Sequence, residues 1–205
     1  MIPNVKSILI ASHNSGKVKE ISELLRPFNV KVMDASGVGI EEPEETEPSF
    51  VGNALLKARA AAIASNEISL ADDSGLVVNA LGGQPGIYSA RWAGPNRDFG
   101  LAMARVEQEL KAIKTDDYSA YFICVLALVW PKGENGESME LVYEGKVAGH
   151  LRFPPKGENG FGYDPIFVAN GHNVTFGEMD EKEKNAMSHR TIAFNKLIFE
   201  VFQGD

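Results

Sequence analysis

Residues 69 to 76 read SLADDSGL, a short apolar approach that ends in two adjacent carboxylates, a hydroxyl and a glycine. Adjacent acids just beyond a buried strand are costly to desolvate unless a cation, a hydrogen-bond donor or water meets them, so Asp72 and Asp73 suggest metal binding. A strand alternates its faces, and the two carboxylates should therefore not point the same way. On that parity one aspartate serves a pocket while its neighbour ties down the turn. The competing reading is a solvated Asp-Asp-Ser-Gly turn.

Other clusters could complete a site. The loop SHNSGK, Ser12 to Lys17, lies where free backbone N–H groups and a helix dipole can bind phosphate. It is not a Walker loop, because Val18 stands where Ser or Thr should follow the Gly-Lys pair. Asn14 can orient a phosphate or hydroxyl and Lys17 can reach a terminal phosphate; a helix-capping loop with a solvated lysine is the alternative. The acidic loop EEPEET, residues 41 to 46, is either solvated or supplies one glutamate that joins Asp73 on a hard divalent cation. Asn53 and Lys57 are four apart on one flank of a helix, facing solvent or a pocket. In FGYDPIF, residues 161 to 167, Phe161 or Tyr163 could present a ring to a base, or be a core aromatic. Lys184, Ser188, His189 and Arg190 suit recognition of phosphate and carbonyl groups.

The elements that position these groups follow from periodicity. Strands are expected at Ser7 to Ala11, Asn29 to Met33 and around Leu70, with a helix over Lys17 to Leu25. Ser49 can cap a second helix with the stripe Val51, Ala54, Leu55, Ala58 and Ala62. Leu76 to Ala93 reads as a hairpin or loop broken by Gly82, Gly83, Pro85 and Gly86. A third helix near Asp98 to Lys114 carries Phe99, Met103, Val106, Leu110 and Ile113. Tyr118 to Trp130 is the strongest strand, joined by the turn at residues 131–137 to a partner strand at Met139 to Val147. Ile166 to Val168 reads as a short strand, and a last helix shows Phe194, Leu197, Ile198, Val201 and Phe202 on one side. The pattern predicts an α/β fold, a twisted mixed sheet with flanking helices. It fits a single domain over residues 1–205.

Composition narrows the partners. A net charge of -8 argues against the basic surface that holds a nucleic-acid backbone, so a polynucleotide partner is not expected. The longest apolar stretch, Tyr121 to Trp130, is far short of the roughly 20 residues a membrane span needs, and no signal-peptide pattern is present, so the expected location is the cytoplasm. The single cysteine, Cys124, lies inside that stretch and reads as a packed core thiol.

Taken together and in order, SHNSGK, EETEPSFVGNALLKA, ADDSGL, GGQPGIYSARWAG, GFGYDPIF and KNAMSHR resemble the inosine triphosphate pyrophosphatase family over nearly the whole chain. That family hydrolyses deaminated purine nucleoside triphosphates such as ITP, dITP and XTP to the monophosphate and pyrophosphate. The resemblance implies two lobes around a central nucleotide-binding cleft and a homodimer. It implies that Ser12, His13, Asn14, Ser15, Gly16 and Lys17 bind the triphosphate, with no side-chain role assigned to His13 or Ser15. It places Mg²⁺ on Glu44 and Asp73, makes Asp73 the general base, and sets Lys57 at the phosphates. Ser74, Phe161, Gly162, Tyr163, Asp164, Lys184, His189 and Arg190 would line the nucleotide site. The rival readings are a related pyrophosphatase acting on modified pyrimidine nucleotides and a non-enzymatic nucleotide-binding module.

Overall fold

Short apolar runs build the centre of the sheet. Strand β1, Ser7–Ile10, buries three of its four residues. It pairs in parallel with β2, Lys31–Asp34, on one side and with β3, Ser69–Val78, on the other. Strands β4, Ser119–Val129, β5, Glu140–Leu151, and β6, Phe167–Ala169, complete a six-stranded sheet of order β2-β1-β3-β4-β5-β6. The β5–β6 pair is antiparallel, so the sheet is mixed as the pattern predicts. The helices are α1, Ser15–Leu25, α2, Phe50–Ser65, α3, Ser89–Trp92, α4, Phe99–Ile113, α5, Glu181–Met187, and α6, His189–Phe202. These elements come from a computed structural model that describes residues 5–133 and 136–203. Two residues of the expected turn at 131–137 lie outside that range.

The chain forms two compact units. The first takes the segments up to Asp73, Val125–Glu144 and from Ala193 onward. Its interior holds Ile8, Leu9 and Ile10 with Ile21, Leu25, Leu70 and Val125, all fully buried. Helix α2 presents Ala54, Ala58, Ala61 and Ala62 inward, a small-residue face. Phe28 stacks on Phe202 of α6 at 5.0 Å, and Lys196 donates to the Glu144 carbonyl, so the three segments are tied together. The second unit takes Ser74–Cys124 and Gly145–Ile192. Its core joins Leu76 and Val78 to Met103, Val106 and Leu110 of α4, and to Phe122, Phe167 and Phe176, whose rings meet at 4.6 to 6.0 Å.

Local signals held where a side chain completes the backbone. Ser49 caps α2 by accepting the Gly52 N–H, and Asp98 caps α4 by accepting the Leu101 N–H, each satisfying a helix-start donor. Cys124 is buried in β4 as expected.

Several expectations are corrected. The Asp-Asp-Ser-Gly segment is not a turn beyond a strand: β3 runs unbroken through it to Val78. Leu76 to Val78 is therefore strand, and the following segment holds two 3-10 turns, a Val77–Pro85 bridge and the short α3. The second strand begins at Lys31, after Asn29 closes a 3-10 turn at φ +53°. The last strand is Phe167–Ala169, because Ile166 belongs to the 3-10 turn Asp164–Ile166. Val51 and Ile113 are exposed rather than parts of buried stripes.

Candidate active site

In the first unit the chemistry gathers on the middle of β3. Asp72 and Asp73 are both buried, and parity sends them to different partners. Asp72 forms an ion pair with Lys17 of α1. Asp73 Oδ1 accepts from Lys57 of α2 at 3.2 Å, and the same ammonium group donates to Glu45 Oε1 at 2.6 Å. Lys57 is thus a buried cation held between two carboxylates. Its own burial disfavours the charge, but Asp73 and Glu45 overcome that and raise its pKa. The second Asp73 oxygen, Oδ2, is enclosed and accepts no hydrogen bond from the described residues.

Asp73 is a strongly perturbed acid. Burial pushes its carboxyl up from 3.8 to about 6, against the pull of Lys57 and Lys17 and with a further push from Glu45. An acid whose folded pKa lies above its unfolded value stabilises the fold only while protonated. That stability is complete below 3.8 and is lost as pH rises through about 6. Near neutrality the ionised form costs on the order of 3 kcal/mol relative to the neutral one. In chelator-treated protein at about pH 8, Asp73→Asn should therefore melt higher than the unmutated chain by roughly 5 to 10 °C. The two should converge near pH 4, and thermal melts across that range check it.

The loop before α1 caps its helix in this structure. Asn14 accepts the Gly16 and Lys17 N–H groups, and Ser12 Oγ accepts the Asn14 N–H at 3.2 Å. His13 lies 3.5 Å from Glu42. A small pocket beside Lys57 is lined by Ala11, Ala35, Ile40, Pro43 and Ala61 together with His13, Glu41 and Glu42. Glu44 is exposed, whereas Glu45 reaches Lys57.

In the second unit a separate cluster forms around Phe161. Lys184 Nζ donates to Asp164 Oδ2 at 2.6 Å, and the Phe161 N–H donates to the same oxygen at 2.8 Å. That close packing requires a glycine at 160, where a Cβ would stand 2.1 Å from Asp164 Oδ2. The Phe161 ring is 37% exposed, with the Lys184 ammonium 4.8 Å and the Arg190 guanidinium 5.8 Å from its centroid. Arg190 is fully buried and donates to Ser74 Oγ at 3.4 Å, while the His189 ring stacks on Phe122 at 4.9 Å. Tyr163 has a core position: it is buried, lies edge-on to Phe99 and donates to the Ser89 carbonyl. Lys184 is on α5, a helix that periodicity did not reveal.

Sequence reasoning left the face of Asn53 and Lys57 open, and both are buried. It did not foresee the Lys17–Asp72 pair. The signal available for it was parity, since one of two adjacent strand acids must face each side.

The six-stranded mixed sheet with flanking helices is an α/β fold, and two lysine–carboxylate pairs lie in the middle of its third strand. The chain belongs to the Ham1 family, whose match covers residues 8–200. Among curated relatives, the dITP/XTP pyrophosphatase of Rhodospirillum centenum is 53% identical, the match covering 96% of this chain and 95% of that one. The dITP/XTP pyrophosphatase of Caulobacter vibrioides is 54% identical over 93% and 95%. Among solved structures, a HAM1 protein from Coxiella burnetii superposes with a TM-score of 0.87 at 41% identity, covering 96% of this chain and 98% of its own.

Proposed function

We infer that the chain hydrolyses deaminated purine nucleoside triphosphates, ITP, dITP and XTP, to the nucleoside monophosphate and pyrophosphate. Water adds to the α-phosphorus, the bond to the bridging oxygen breaks, and pyrophosphate leaves. The observation that carries the chemistry is Asp73, a buried carboxylate with one oxygen on Lys57 and the other free to accept. In this reading Asp73 takes the proton from the attacking water, as its raised pKa suits a general base working near neutrality. Lys17 and Lys57 offset the negative charge that builds on the phosphates.

The acidic centre also fits a hard divalent cation. A buried ammonium already stands between Asp73 and Glu45, and Asp73 Oδ2 has no donor among the described residues. We propose Mg²⁺ there, held by Asp73 and a carboxylate of the Glu44–Glu45 pair. When bound it would neutralise phosphate charge and lower the pKa of water. The protein is proposed to act in the cytoplasm as a homodimer; no described helix is long and apolar enough to cross a membrane.

Base recognition is assigned to the second unit. Phe161 offers its exposed ring for stacking, and His189 and Arg190, with Lys184, Asp164 and Ser74 beside them, offer polar groups to a 6-oxo purine. Phe161→Ala should raise KM for ITP about tenfold with a smaller change in kcat, since a stacked base is held alike in ground and transition states. Steady-state kinetics checks this, and an unchanged KM with a large drop in Tm would make the ring a packing residue. The function is tested with a nucleotide panel read by released pyrophosphate. ITP or XTP should exceed ATP in kcat/KM by at least about a hundredfold, because a site built for a 6-oxo group leaves partners unpaired against a 6-amino group. Comparable values for ITP, ATP and a modified pyrimidine triphosphate would refute the reading.

A further inference from the structure

The segment from Glu41 to Glu47 carries five glutamates in seven residues, so its charges repel one another. Yet Glu45 sits within 2.6 Å of Lys57. The feature that can fix it lies one helical turn before Lys57. Asn53 is fully buried on α2, and its Oδ1 accepts the Glu47 backbone N–H at 3.0 Å. Since an N–H needs an acceptor, this bond also sets which way the amide faces. Beside it, Gly52 lets the loop press against the helix: a Cβ there would meet the Glu47 Cβ at 2.6 Å.

Asparagine is a poor choice here for the helix alone. It is a weaker helix former than alanine, and its Nδ2 is enclosed with no acceptor among the described residues, which costs free energy. What it supplies is the tie to Glu47. We propose that Asn53 is a positioning residue for the reaction: it clamps the acidic loop to the first turn of α2 so that Glu45 is presented to Lys57 and, through it, to Asp73. This rests on the hydrolytic role given above to the Asp73 centre.

The test is a double-mutant cycle with Asn53→Ala, Glu45→Gln and the pair, assayed on ITP at saturating Mg²⁺, beside hydrogen exchange of the 41–48 segment. Asn53→Ala should lower kcat/KM about tenfold and speed exchange at the Glu47 amide by about tenfold or more. Its Tm should stay near the unmutated value, alanine being the better helix former. If Asn53 acts through Glu45, the double variant should be no slower than Glu45→Gln alone. Losses that multiply, or faster exchange with unchanged kcat/KM, would overturn the proposal. Should the unmutated protein fail to hydrolyse ITP, the functional reading falls, and unchanged Glu47 protection in Asn53→Ala would independently refute the clamp.

Discussion

Asp73→Asn should lower kcat for ITP by at least about a thousandfold while leaving a folded protein. The substitution keeps the shape of the side chain but removes the group proposed to accept the water proton and one charge of the acidic centre, losses that in combination reach this size. Because the same carboxylate strains the fold when ionised, its removal should raise the metal-free melting temperature near neutrality. Activity and stability thus move in opposite directions. That split distinguishes a functional acid from a structural one, for which both would fall. Turnover near the unmutated rate in Mg²⁺ would remove Asp73 from the mechanism.

Lys57→Met should be the most damaging change to stability within the first unit. It leaves the Asp73 and Glu45 carboxylates facing one another without the ammonium that holds them together. Breaking a buried ion pair from one side costs about 3 to 5 kcal/mol, or roughly 10 °C in Tm for a chain of this size. The loss should shrink toward acid pH, where Asp73 takes up a proton. It should also be partly reversed by millimolar Mg²⁺, and reversed more than any Mg²⁺ shift seen in the unmutated protein, because the cation replaces the missing charge. Thermal melts with chelator and with Mg²⁺ measure both. A melting temperature unchanged by the substitution at about pH 8 would show that Lys57 does not balance these acids.

Much of the fold was legible where local chemistry decides. Ser49 announced a helix start because a hydroxyl there can accept a free N–H. The buried run around Cys124 announced a central strand. On α2 periodicity placed Ala54, Ala58 and Ala62 inward correctly but also Val51, which is exposed, and it could not show that Asn53 and Lys57 are buried. A face chosen by charge pairing does not follow the apolar stripe. Periodicity also ended β3 too early: adjacent carboxylates look like a turn unless their lysine partners, 55 and 16 residues distant in sequence, are known. For the site, motif order supplied the residues proposed here, yet no local rule could choose among the loop glutamates. In space it is Glu45 that reaches Lys57.

The first unit is assembled from three stretches of chain, and its last stretch, from Ala193, emerges from the ribosome after the other two and after the whole of the second unit. Until then Phe28 has no Phe202 to stack upon, and the Glu144 carbonyl has no Lys196. The unit that houses Asp73 is therefore unfinished throughout most of its own synthesis. Its nascent β1 and β3 must wait with apolar residues uncovered, the situation in which chains seek chaperones or one another. Pairings this distant along the chain also make for slow folding once synthesis ends. A shortened chain stopping before α6 should accordingly lose the fold of its earliest residues, and not merely its tail.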